Sequence, residues 1–136
     1  MGALDLNLLA DTEIFIWVAS EPNRLSADVA RMIADPGNQI YLSHASIWEI
    51  AIKHGIGKLN LPNDPVLWVP SRMERHRMSG LPIEMSHVFG AGRLPLYHRD
   101  PFDRLIVAQA QIEGLTLLTS DTRLAEYAVQ LIMMKA

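Results

Sequence analysis

Two short apolar runs in this chain end in carboxylates. Residues 6–10 (LNLLA) lead into Asp11-Thr12, and residues 115–119 (LTLLT) lead into Ser120-Asp121. Runs this short, with no helical period, read as buried strands. In open α/β sheets, ligands sit beyond the carboxyl ends of parallel strands. Side by side and parallel, the two runs bring Asp11 and Asp121 to one rim. Their mutual repulsion there has to be offset, and a divalent cation is the common answer. Each acid also precedes a helix and suits an N-cap. The two roles are compatible, because a capping carboxylate already points off the end of the sheet.

Two further acids fall in helices. Glu49 stands inside Ile47-Trp48-Glu49-Ile50-Ala51-Ile52. A pair with Lys53 four residues on is worth a few tenths of a kcal/mol when exposed, but it does not explain an acid in so apolar a helix. In His98-Arg99-Asp100-Pro101-Phe102-Asp103-Arg104, Asp100 reads as an N-cap, Pro101 as the first helical residue, and Asp103 as a first-turn acid favoured by the helix dipole. From that turn Asp103 also reaches a metal at the sheet rim, and local rules leave both uses open.

The elements that must hold these groups alternate. Strands are expected at 6–10, 39–43, 115–119 and 129–133, with 80–83 a short edge strand where Pro82 is tolerated. Helices are expected over 14–19 and from Ser26 to the breaker Asp35-Pro36-Gly37-Asn38. Others cover 47–54 (opened by Ser46, closed by Gly55 and Gly57), 86–92 (capped by Ser86), 101–113 before Gly114, and 121–127. Pro62, Pro65 and Pro70 predict a kinked or split helix around 66–69. Such alternation predicts one α/β domain over residues 1–136, its mainly parallel sheet covered by helices on both faces.

Bulk composition narrows the chemistry. The 136 residues, 49% hydrophobic and 20% charged, are enough for a core without covalent staples. The absence of cysteine excludes thiolate zinc sites and disulfides. Twelve basic against 15 acidic residues leave a net charge of −3, which disfavours a protein that coats duplex DNA. Residues 1–7 lack the basic start and apolar run of a secretory leader, and no apolar run approaches the roughly 20 residues of a membrane helix. The expectation is a soluble, cytoplasmic protein.

Taken in order, residues 9–12 (LADT), 46–53 (SIWEIAIK), 93–110 (RLPLYHRDPFDRLIVAQA) and 117–121 (LLTSD) resemble the PIN-domain nucleases, and among them the VapC-type toxins of bacterial toxin–antitoxin pairs. The resemblance runs over nearly the whole chain. It implies a three-layer α/β/α sandwich with an acidic pocket, and Asp11, Glu49, Asp103 and Asp121 match the family's four catalytic acids. Thr12 and Thr119 match hydroxyls that support the carboxylates, and Asp100 is an auxiliary acid of the subtype. Glu13 departs from a position where members of this subgroup often carry histidine. A homodimer and a cognate antitoxin that blocks the pocket are also implied. Carboxylates without cysteine or a histidine cluster are hard ligands suited to Mg²⁺ or Mn²⁺. On this basis Asp11, Asp103 and Asp121 are the expected metal ligands, and Glu49 orients or deprotonates the attacking water of an endoribonuclease.

Substrate RNA would need cations near the acids. Arg93, Arg99 and Arg104 with His98, and Lys53, His54 and Lys58 after Glu49, are the candidates, each also readable as a solvated surface charge. Trp17, Trp48 and Trp68 are expected in the core or an interface, and residues 14–18 and 66–69 mainly in the core, with apolar surplus for partner surfaces. Two rivals stand beside the nuclease. One is a catalytically inactive PIN-fold binding module. The other is a phosphatase or response-regulator-like domain, which wants a lysine and a hydroxyl beside a phosphate-accepting Asp. The late lysine, Lys135, is poorly placed for that.

Overall fold

A computed structural model describes residues 5–135. The leader-free reading of residues 1–7 falls partly on residues 1–4, outside the described ones. Among the described residues the strands are β1 (Asn7–Ala10), β2 (Gln39–Ser43), β3 (Met78–Leu81), β4 (Thr116–Thr119) and β5 (Leu131–Met133). They form one sheet in the order β3-β2-β1-β4-β5, every neighbouring pair parallel.

The period of two along a strand sorts side chains between two cores. Leu8, Ala10, Ile40, Leu42 and Leu118 face one layer, while Leu9 and Leu117 face the other. The first layer is closed by α1 (Thr12–Ser20), α2 (Ala27–Ala34) and α4 (Pro65–Arg75), through Ile14, Phe15, Val29, Ile33, Trp68 and Val69. The second is closed by α6 (Pro101–Glu113), through Ile106, Val107 and Ala110. Between them α3 (His44–Gly55) gives Ile50 to the first cluster and Ala45 to the second, and α5 (Met85–Arg93) packs on α6. The expected α/β/α sandwich is therefore present.

Topology creates the site. The chain steps outward from β1 to β2 to β3, then returns across the sheet to β4 on the far side of β1. Right-handed crossovers require the helices of these two directions to lie on opposite faces. The reversal falls between β1 and β4, whose registers place Ala10 beside Leu118. The backbone N–H of Asp11 continues the ladder by donating to Leu118 O at 3.0 Å. The loops after both strands thus open at one point of the rim.

Several local expectations are corrected. Ser43, not Ser46, caps α3, accepting from Ala45 N at 2.9 Å, so the helix begins before Ser46 and buries it. Glu84, not Ser86, precedes α5, and its backbone N–H is taken up by His87 Nδ1 at 2.9 Å. Pro70 does not split α4: Asp64 caps the helix, Pro65 occupies its first turn, and exposed Pro70 and Val66 leave the unpaired helical carbonyl open to water. Residues 121–127 hold a 3₁₀ helix, Thr122–Glu126, because the link between parallel neighbours β4 and β5 is too short for a longer helix. The edge strand ends at Leu81, just before Pro82. Gly114, at φ 70°, closes α6 in the left-handed conformation. Among the described residues no helix is long and apolar enough to cross a membrane.

Candidate active site

Asp11 leaves β1 and caps α1. Its Oδ1 accepts from Ile14 N at 2.8 Å, and its Oδ2 accepts from the Thr119 hydroxyl at the end of β4. Thr119 Oγ1 in turn accepts from Asp121 N at 3.0 Å, so one hydroxyl ties the two strand ends together. Burial is the main force on Asp11 and raises its pKa from 3.8 to about 6. The Thr119 and Ile14 hydrogen bonds lower it, and the charges of Glu13 and Asp121 add to the rise.

From the first residue of α1, Thr12 reaches α3. Its Oγ1 lies 2.6 Å from Glu49 Oε1 and 2.9 Å from Ser46 Oγ. A hydroxyl has one proton to give. The carboxylate, a pure acceptor, takes it, and the Ser46 hydroxyl donates to Thr12. Lys53 Nζ closes the set at 2.7 Å from Glu49 Oε2, and this hydrogen bond is the main cause of the raised lysine pKa. An acid in an apolar helix is thereby explained: Glu49 is buried and faces the site.

The start of α6 supplies the remaining groups. Asp100 caps it, accepting from Phe102 N at 2.8 Å. Asp103 Oδ2 lies 3.0 Å from His98 Nε2, and so does Asp121 Oδ2. Asp121 also holds Arg123 in a fork, with Nε 3.0 Å from Oδ1 and Nη2 2.9 Å from Oδ2. Burial pushes the Asp121 carboxyl up, but the hydrogen bonds from Arg123 and His98 and the charge of Arg123 outweigh it, leaving the pKa below its ordinary value. Asp103 has no arginine to hold it, and His98 Nε2, though 3.0 Å from its Oδ2, donates to Asp121. Burial first, then the charges of Asp100, Glu49, Asp11 and Asp121, raise the Asp103 pKa to about 7.

All four sequence-predicted acids line one cleft of about 350 Å³, together with Thr12, Glu13, Lys53, Lys58, Asp100 and Arg123. Nε2 of His98 and one carboxylate oxygen each from Asp103 and Asp121 lie within 4.8 Å of one another, the spacing of a grouping that can surround a cation. Asp11 lies outside that tightest group but on the same wall. The donor set suits a hard divalent ion, because carboxylate oxygens dominate it and like charges are crowded there.

Some basic candidates go elsewhere. Arg104 Nη2 donates to the carbonyls of Ala91 at 3.0 Å and Leu94 at 2.8 Å, so it fastens α6 to the end of α5. Arg93 and Arg99 are exposed, and His54 lines a separate groove between α3 and α4. Lys53 and Lys58 do reach the cleft. Sequence reasoning missed Arg123 and Ser46 and took His98 only for a basic group. The signal for Arg123 lay two residues after Asp121, within reach of the carboxylate it forks. Trp17 and Trp68 are core, whereas Trp48 is 57% exposed and packs edge-on against Phe102 at 5.1 Å.

Known proteins resemble this chain in sequence and in fold. The sequence profile of the family described as "PIN domain" matches residues 8–130. The chain is 41% identical over 68 residues to Ribonuclease VapC16 of Mycobacterium tuberculosis, a match spanning 47% of this chain and 48% of that protein. It is 30% identical over 121 residues to Ribonuclease VapC22 of the same organism, covering 88% of this chain and 91% of the relative. A chain of VapBC2 from Rickettsia felis, solved bound to a promoter DNA fragment, superposes with a TM-score of 0.73 at 16% identity, covering 96% of this chain and 100% of that one. With the family profile spanning residues 8–130, which include all four acids, and a relative aligned along most of the chain, the protein belongs to the PIN-domain family, in its VapC-type toxin branch.

Proposed function

We propose that this chain is a divalent-cation-dependent endoribonuclease, the toxin of a toxin–antitoxin pair. The observation that carries the proposal is the charge pattern of the cleft. Two acids have cationic partners, Glu49 with Lys53 and Asp121 with Arg123. Asp11 and Asp103 have no lysine or arginine partner among the described residues, and among the cleft's acids theirs are the pKa values that burial raises, to about 6 and about 7. A site that crowds acids and leaves two of them uncompensated is built for a cation. Asp11, Asp103 and Asp121 would hold Mg²⁺ or Mn²⁺. Such an ion polarises the scissile phosphate and lowers the pKa of an attacking water.

The chain's own groups do the rest. Glu49, fixed by Thr12 and Lys53, presents its remaining lone pairs to the cleft and orients the water, accepting its proton. Lys53, Lys58 and Arg123 line the wall where a phosphodiester strand would lie. Both relatives are named ribonucleases, which supports RNA as the substrate. An antitoxin partner is supported by a structural neighbour from Mycobacterium tuberculosis described as a member of the VapBC family of toxin–antitoxin systems, and a homodimer is part of the same proposal.

The test is incubation of antitoxin-free protein with total cellular RNA plus EDTA, Mg²⁺ or Mn²⁺, beside Asp11→Asn and Asp103→Asn. Discrete fragments that need the cation and vanish in both folded variants are expected. Folded wild-type protein that binds the cation yet leaves every RNA intact would favour a binding module instead.

A further inference from the structure

The tight group of His98, Asp103 and Asp121 looks like three ligands, one nitrogen and two oxygens. The other ring nitrogen of His98 argues otherwise. Nδ1 lies 3.0 Å from the backbone N–H of Asp100 and accepts from it. A neutral imidazole carries one N–H. With the Nδ1 lone pair held by a donor, the hydrogen sits on Nε2, the atom 3.0 Å from both Asp103 Oδ2 and Asp121 Oδ2. A nitrogen that bears hydrogen in the ring plane has no lone pair there to give a metal.

The ring cannot turn over to change this. A flip would set carbon atoms against Asp100 N and both carboxylates and forfeit all three contacts. His98 is also buried, and its backbone N–H donates to Tyr127 Oη at 3.0 Å, whose own hydroxyl donates to Pro95 O at 2.8 Å. The ring is locked from both sides by the loop that opens α6 and by the segment after Asp121.

We propose that His98 is a positioning residue rather than a metal ligand: its Nε2–H donates to Asp121, holds that carboxylate beside Asp103 Oδ2 at 3.0 Å from the same nitrogen, and leaves the outward lone pairs of both acids for the cation. The inference rests on the reading of the cleft as a divalent-cation site. Ligating carboxylates are themselves oriented by outer hydrogen bonds, whose loss typically costs 10–100-fold in metal affinity. Here the nitrogen that donates to Asp121, after β4, lies 3.0 Å from Asp103 on α6, so the buried ring sets the distance between the two elements.

The experiment uses the whole chain labelled with ¹⁵N. Long-range ¹H–¹⁵N correlation spectra, without metal and with Mg²⁺, are expected to show His98 protonated at Nε2 and bare at Nδ1 in both states. Pulsed EPR of the Mn²⁺-loaded chain is expected to show no directly bonded His98 nitrogen. His98→Ala should weaken Mn²⁺ binding by about tenfold or more, and His98→Gln, whose amide N–H reaches the same place, should recover most of it. A bare Nε2 with metal bound, or a directly coupled His98 nitrogen, overturns the positioning role and leaves the cation site standing. Wild-type binding that is unchanged in His98→Ala also overturns it. No Mn²⁺ binding by wild-type chain overturns the cation site itself, and the positioning role with it.

Discussion

At the scale of residues, the site divides into acids with partners and acids without. Burial, and after it the charges of four other carboxylates, raises the pKa of Asp103 to about 7. Asp103→Asn therefore removes repulsion from the metal-free protein. It should stabilise the fold in EDTA by about 1 kcal/mol, seen as a higher melting temperature, while cutting RNA cleavage by about 10²-fold or more. Calorimetric melts and cleavage rates on the same preparation check the two signs together. Thr12→Val acts differently: it frees Glu49 Oε1 without touching an expected ligand. Cation affinity should stay near wild type while the cleavage rate falls, on the order of tenfold. A matching loss of affinity would place Glu49 in the metal shell. Asp11, Asp100 and Asp121 were legible in the sequence, because strand ends and a helix start are punctuated by Asp-Thr, Asp-Pro and Ser-Asp, whereas Glu49 and Asp103 joined them only through the family resemblance. What each acid touches was not. The Thr12–Glu49 contact joins residues 37 apart, and Thr119–Asp11 joins residues 108 apart.

At the scale of elements, α6 does the most positioning. Asp100 caps it, and the same residue's backbone N–H orients His98. Asp100→Ala should cost about 1 kcal/mol through the lost cap, measured by denaturant titration. Asp100→Asn, which keeps an accepting oxygen, should lose far less. This helix start was readable from Asp100-Pro101 alone, since proline suits the first turn and the acid suits the cap. The start of α3 was misread for an equally local reason. Ser43 and Ser46 are both plausible caps, and only the end of β2 decides between them. Residues 121–127 carry a helical pattern that tertiary geometry overrides, because the crossover between adjacent parallel strands is too short.

At the scale of the molecule, the sequence implied parallel strands but not which were neighbours. The order β3-β2-β1-β4-β5, which brings Asp11 and Asp121 to one rim, depends on the chain's return across the sheet. That return leaves a thermodynamic mark. Unfolded, Asp11 and Asp103 titrate near 3.8, whereas folded they titrate near 6 and 7. Between those values the folded chain holds protons that the unfolded chain has released. The metal-free fold should thus be favoured on the acid side and lose that contribution as pH rises from about 4 through 7. Asp121, whose pKa is lowered, works in the opposite sense and only at the acid end. Melts between pH 5 and 8 should show stability falling with pH in EDTA, and Mg²⁺ should flatten or reverse the slope by favouring the ionised acids. The most direct test of the central claim is the rate of RNA cleavage followed against Mg²⁺ concentration for the wild type, Asp11→Asn and Asp103→Asn. Cleavage that saturates with cation, stops in EDTA and disappears in both folded variants is the expected result. Cleavage that continues in EDTA, or survives in either variant, would contradict it.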